Sequence, residues 1–147
     1  MKIVIGCDHG ALALKTAVKN VLSELSGIEV EDIGTFTEDS VDYPDIAERL
    51  CARITSGEAE RGVLLCGTGI GISIAANKIR GIRAALCCDV YSAKMARRHN
   101  DANVIALGGR VIGPGPAGEI VKAFMTESFE GGRHARRVGK ITALENK

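Results

Sequence analysis

Short apolar runs alternate along this chain with stretches whose apolar residues recur every three or four positions. The runs lie in Lys2 to Cys7, Ile28 to Ile33, Val63-Leu64-Leu65 (stopping at Cys66), Ile82 to Cys88 and Asn103 to Leu107. Consecutive apolar positions over so short a length suit strands covered on both faces. Between the first two runs, Ala11, Leu14, Val18, Val21, Leu22 and Leu25 form a helical stripe ended by Gly27. Pro44 suits the first turn of a second helix, with stripe Ile46, Ala47, Leu50, Cys51 and Ile54 and Gly57 at its close. Ile72, Ala75, Ala76 and Ile79 open a third, and a short helix after Asp89 reaches about Arg98, leaving His99-Asn100-Asp101 as a connection. Gly113-Pro114-Gly115-Pro116 reads as a rigid turn before a helix from about Ala117 to Ser128. A last helix, about 134–144, follows Glu130-Gly131-Gly132.

Strands alternating with helices predict an α/β fold, a three-layer Rossmann-like arrangement with a five-stranded parallel sheet and helices on both faces. The expected strand order is 2-1-3-4-5. Ligands bind outside the carboxyl ends of such a sheet, where the order reverses, here between strands 1 and 3. The loops at that point are Asp8-His9-Gly10 and Cys66 to Gly71.

That second loop carries the strongest chemical signal. Gly67, Gly69 and Gly71 alternate with Thr68 and Ile70 between a strand and a helix. Glycines there let a ligand approach bare amides, and the helix start favours negative charge. A thiol at that point, Cys66, is placed to act as a base or nucleophile. The competing reading is a buried strand-end cysteine acting as a small hydrophobe, and spacing alone leaves the two evenly matched. The pattern is neither Gly-x-Gly-x-x-Gly nor a phosphate loop ending in Gly-Lys-Ser/Thr.

Composition narrows the classes. With 147 residues, the chain suits one domain spanning 1–147, large enough to bury a core without staples. A net charge of +1 gives no reason to propose nucleic acid or membrane binding. The apolar start, Ile3-Val4-Ile5, is too short for a signal peptide, and no run approaches a membrane span. The five cysteines are odd in number and lack Cys-x-x-Cys spacing, so they read as reduced thiols of a cytoplasmic protein.

Several motifs together resemble one family. Gly6-Cys7-Asp8-His9-Gly10, Asp42-Tyr43-Pro44-Asp45, Cys66 to Gly71 with Ala75-Ala76-Asn77-Lys78, His99-Asn100-Asp101-Ala102-Asn103-Val104, and Gly131-Gly132-Arg133-His134 with Arg137 occur in order. This set resembles, over essentially the whole chain, the ribose-5-phosphate isomerase B family, with galactose-6-phosphate isomerase subunits and allose-6-phosphate isomerase as relatives. The resemblance implies interconversion of aldose and ketose phosphates through a cis-enediolate, without metal or cofactor. It implies that Cys66 moves the proton between C1 and C2, that His99 opens the sugar ring with help from Thr68, and that Asn100 binds sugar hydroxyls. Asp8 and His9 match substrate contacts, Tyr43 lines the pocket, and the amides of Gly67, Gly69, Ile70 and Gly71 face the enediolate oxygens. Arg110, Arg133 and Arg137 match phosphate ligands. One branch of the family has glycine in place of Cys66 and a catalytic glutamate where this chain has Ile72; Ile72 takes no proton, so the cysteine branch applies. Read without the family, His99 is an exposed polar residue, Asn100 a helix C-cap, Asp8 and His9 a turn and helix N-cap, and Tyr43 a packed aromatic.

Rival readings are a nucleotide-binding module using Asp32 at the end of strand 2, a zinc site from Cys66, His9, Asp8 and His99, and a non-enzymatic signalling domain. Pentose phosphate is the family default, with hexose and tetrose phosphates as alternatives. His99 and Asn100 precede strand 5, whereas Cys66 and Asp8 follow strands, so the two groups belong at opposite sheet edges. A homodimer, or a dimer of dimers, with shared sites is therefore expected, its last helix packing on the partner.

Overall fold

The computed structural model describes residues 1–147. The strands are β1 (Lys2–Cys7), β2 (Glu29–Asp32), β3 (Arg61–Cys66), β4 (Ala84–Leu86) and β5 (Val104–Gly108). The helices are α1 (Leu12–Glu24), α2 (Tyr43–Thr55), α3 (Ile70–Ala76), α4 (Val90–Asn100), α5 (Pro114–Thr126) and α6 (Arg133–Leu144), and a 3₁₀ turn covers His9–Ala11. All strand pairs are parallel.

The alternation of side chains along each strand divides the core in two. Ile3, Ile5, Val63, Leu65, Ile105 and Leu107 point to one face and pack with α1, α4 and α5 through Leu14, Val18, Leu22, Ala93 and Phe124. Val4, Leu64, Cys66, Val104 and Ala106 point to the other, under α2 and α3 through Ile46, Leu50 and Ile72. Cys66 thus faces the side that its own glycine loop covers.

The order is β2-β1-β3-β5-β4, which corrects the expected 2-1-3-4-5. β5 is buried at every position, as an inner strand must be. β4 has only two alanines and a partly exposed leucine, and it is shorter than the run from Ile82 to Cys88 suggests. So weak an apolar run suits the edge. Two other boundaries also differ. Pro114 begins α5, so the Gly-Pro-Gly-Pro segment supplies a helix start instead of a separate turn. α4 runs through Asn100, placing His99 in its last turn and not in a loop; Asp101, with φ 47°, ends the helix in the left-handed conformation.

Candidate active site

The inner position of β5 shapes the crevice. Its end lies level with the end of β3, Gly108 pairing with Cys66. Gly109 N–H then donates to Cys66 O at 2.8 Å and Arg110 N–H to Gly67 O at 2.9 Å. Arg110 is carried over the glycine loop: a Cβ on Gly67 would lie 3.2 Å from its Nη1. The loop folds tightly onto β5. Gly69 has φ 78°, and a Cβ there would come within 2.9 Å of the Leu107 carbonyl carbon. Glycine is required at that position by both conformation and space.

The Cys66 side chain is buried, and its Sγ accepts the Gly69 N–H at 3.1 Å. Thr68 Oγ1 accepts the Ile70 N–H at 3.2 Å. These two amides are engaged within the loop, whereas those of Gly67 and Thr68 donate to no group of the chain. Among the other thiols, burial pushes Cys7 up to about 11, and Cys51 and Cys87 each to about 12, so these three stay protonated near neutral pH.

The remaining carboxyl-edge residues converge here. Asp8 N–H donates to Leu65 O at 3.1 Å, and Asp8 Oδ1 caps Gly10 N–H at 2.8 Å. Asp8 therefore fills the capping role open to it from sequence, while standing at the crevice. A Cβ on Gly10 would lie 3.2 Å from Gly67 N, so the two loops touch. His9 Nδ1 accepts the Val41 N–H at 3.2 Å, tying the segment before α2 to the crevice. Tyr43, at the start of α2, packs its ring where a Cβ on Gly71 would be.

A second group stands apart. His99 stacks on His134 of α6, ring centroids 4.1 Å apart and planes within 4°. Their Nε2 atoms lie 3.7 and 3.6 Å from Glu130 Oε2. Arg133 and Arg137, four residues apart on α6, place their charges beside His134. Burial first, then repulsion from His99 and Arg133, holds the His134 imidazole below its ordinary value, against the pull of Glu130. Asn100 lies by Arg83, Ala102 and Ile141 on a cavity of about 570 Å³ between α6 and the α3–β4 connection. The chain enters β5 at Val104, level with Gly62, four residue steps from Cys66 or about 13 Å at ~3.3 Å per residue.

The site residues read from sequence thus form two sets. Asp8, His9, Tyr43, Cys66, Gly67, Thr68, Gly69, Ile70, Gly71 and Arg110 meet at the carboxyl edge, whereas His99, Asn100, Arg133 and Arg137 belong to the opposite end of α4 and the start of α6. Glu130 belongs to the second group as well, a participant that the sequence does not announce because it precedes α6 in a loop. Asp32, the acid of the nucleotide reading, is consumed by Lys15 and Lys19 at 2.9 and 3.0 Å. The zinc set is divided between the two groups. His99, His134 and Glu130 do come together, their ligand atoms within 4.8 Å of one another, but this is not the set expected from sequence.

A doubly wound α/β chain with a thiol in a glycine loop, an arginine above it and no dinucleotide fingerprint defines a class that handles small anionic substrates. The comparisons narrow that class. Residues 3–141 match the family model described as Ribose/Galactose Isomerase. Ribose-5-phosphate isomerase B of Escherichia coli is 48% identical over 99% of this chain and 97% of its own length. D-erythrulose-4-phosphate isomerase of Pectobacterium atrosepticum is also 48% identical, over 99% of this chain and 96% of its own. The solved structure of Clostridium thermocellum ribose-5-phosphate isomerase B superposes with a TM-score of 0.96 at 52% identity, covering 99% of this chain and 98% of that one. The chain belongs to the ribose/galactose isomerase family.

Proposed function

We propose that the chain is an aldose–ketose isomerase that interconverts ribose 5-phosphate and ribulose 5-phosphate by proton transfer through a cis-enediolate, with no cofactor. The observation that carries this reading is Cys66 Sγ, buried beneath the glycine loop and receiving the Gly69 N–H. A sulfur so placed takes the proton from C2 of the aldose and returns it to C1. The unengaged Gly67 and Thr68 amides, on this reading, receive the oxygen that gains charge; one such donor is worth roughly 3–4 kcal/mol of barrier. Arg110 faces the phosphate end, and Thr68 assists His99 in opening the ring. Tetrose 4-phosphate is the second substrate reading, favoured by the similarity to the erythrulose-phosphate enzyme.

The protein works, we infer, as a homodimer with shared sites. Proton transfer needs contact at about 3 Å, yet His99 belongs to the far end of the sheet from its own Cys66. A partner therefore brings His99, Asn100, Arg133 and Arg137 to the crevice. Two features support this. α3, which leaves the Cys66 loop, exposes Ile70 and Ile74, four residues apart, and Tyr91 and Val111 are exposed nearby in sequence to β4 and β5. Of α6, only His134 is buried, leaving Ile141 and Leu144 for a partner to cover. The five free thiols suit a reducing cytoplasm.

The test mixes inactive Cys66→Ala subunits with inactive His99→Asn subunits and assays ribose 5-phosphate turnover. A mixed dimer holds one intact site and regains activity. Verified mixed dimers that stay dead would overturn the shared site, and near-normal turnover by Cys66→Ala alone would overturn the base. Parallel assays with erythrose 4-phosphate decide between the substrates.

A further inference from the structure

Glu130 divides its two oxygens between different partners. Arg98 Nε and Nη2 both meet Oε1, each at 2.6 Å, while Oε2 faces His99 Nε2 at 3.7 Å and His134 Nε2 at 3.6 Å. The Glu130 backbone is fixed as well, its N–H donating to Arg98 O at 3.0 Å. His99 is partly exposed, but it lies flat on a ring that is itself buried. An exposed side chain with this much restraint is held for a purpose beyond packing, since α6 already docks through His134.

We propose that Glu130 is the positioning residue for His99: clamped by Arg98, it aims one oxygen at the imidazole, fixes its orientation against His134 and stabilises the charge it gains while opening the sugar ring. This rests on the ring-opening role given to His99 above. In that step the anomeric O–H proton passes to the imidazole and its electron pair closes the carbonyl. The bond from the anomeric carbon to the ring oxygen breaks with its pair on that oxygen, which takes up the proton. His99 is cationic in passing, and Glu130 is the carboxylate that meets it. The other charges near this point are Arg98 on α4, and Arg133, His134 and Arg137 on α6; Glu127 is engaged by Arg98 at 3.8 Å and Lys94 at 3.9 Å. Arg98 holds the Glu130 carboxyl below the usual carboxylate range, so it stays charged through the working pH range.

The experiment compares Glu130→Gln, Glu130→Asp, Arg98→Met and His99→Asn, each checked for an unchanged melting temperature and dimer. Substrates are ribose 5-phosphate, which is ring-closed, and ribulose 5-phosphate, which stays open-chain because its 5-oxygen carries the phosphate. Glu130→Gln is expected to lower kcat on the closed sugar about tenfold, less than the roughly 10²–10⁴-fold that loss of the proton-transfer group itself costs, and to spare the open one. Losing the nearby carboxylate makes imidazole harder to protonate, so the acid limb of the kcat profile moves about one pH unit lower. Glu130→Asp restores part of both. If Glu130 only tethers its loop, Glu130→Gln and Arg98→Met will raise KM alike and leave the acid limb in place, and the proposal fails. If His99→Asn retains normal turnover of the closed sugar, the ring-opening reading itself is lost. Loss in His99→Asn beside wild-type rate and profile in Glu130→Gln sinks the positioning role alone.

Discussion

Asp32 accepts hydrogen bonds from Lys15 Nζ at 2.9 Å, Lys19 Nζ at 3.0 Å and the Gly34 amide at 3.0 Å. Burial pushes its carboxyl up, but these donors outweigh that and hold it below the usual range. Lys15, more buried than Asp32 itself, also donates to Thr35 O at 2.7 Å and lies over the Phe36 ring. A depressed carboxyl contributes stability in full above its unfolded value near ~3.9 and loses it as pH falls through the folded value. Asp32→Asn should therefore cost about 3 kcal/mol at pH 7, because a buried lysine is left unpaired. That gap should shrink steadily below pH 4. Urea midpoints at pH 7 and pH 3 measure it, and a gap of the same size at both would show that the charge of Asp32 is not what stabilises.

The glycine loop is an element whose shape is set by its neighbours. Gly69→Ala asks a left-handed residue to carry a Cβ against the β5 backbone. Left-handed conformation alone costs roughly 1–2 kcal/mol, and the close contact adds to it. We expect Gly69→Ala to melt several degrees lower and to lose activity by more than its folded fraction accounts for, read by calorimetry beside turnover. Wild-type turnover in a folded variant would mean that the loop shape does not serve Cys66. Such a loop is legible in sequence because its glycines alternate; so is β3, whose short apolar run before those glycines suits a strand covered on both faces. The order of β4 and β5 was not legible. Both are short, and only the comparison of Ala84-Ala85-Leu86 with Val104-Ile105-Ala106-Leu107 assigns one to the edge. The helical end of His99 escaped for a related reason: the cap at Asp101 is an aspartate in a conformation where glycine is the usual signal. Glu130 lies in a loop without periodicity, so its partners emerge only in three dimensions.

For the molecule as a whole, the exposed face of α3 is the place to test assembly. Ile74 is exposed in the single chain, so Ile74→Asp should leave the monomer's fold intact. If that face meets a second copy, the variant will run as a monomer by light scattering and lose nearly all turnover. A fully active Ile74→Asp dimer would move the interface elsewhere. The family, the layers and the crevice were all within reach of the sequence, because they follow from patterns along one chain. If a second chain completes the site, its trace in the single chain is the side chains left uncovered.

The four-step offset between Gly62 and Cys66 along β3 has a kinetic consequence if sites are shared. A chain just released from synthesis is folded yet chemically unfinished, and its first turnover waits for an encounter. At concentrations below the dissociation constant, activity should rise with the square of the chain concentration and not in proportion to it. Dilution alone would then act as a reversible brake, needing no effector and no further site.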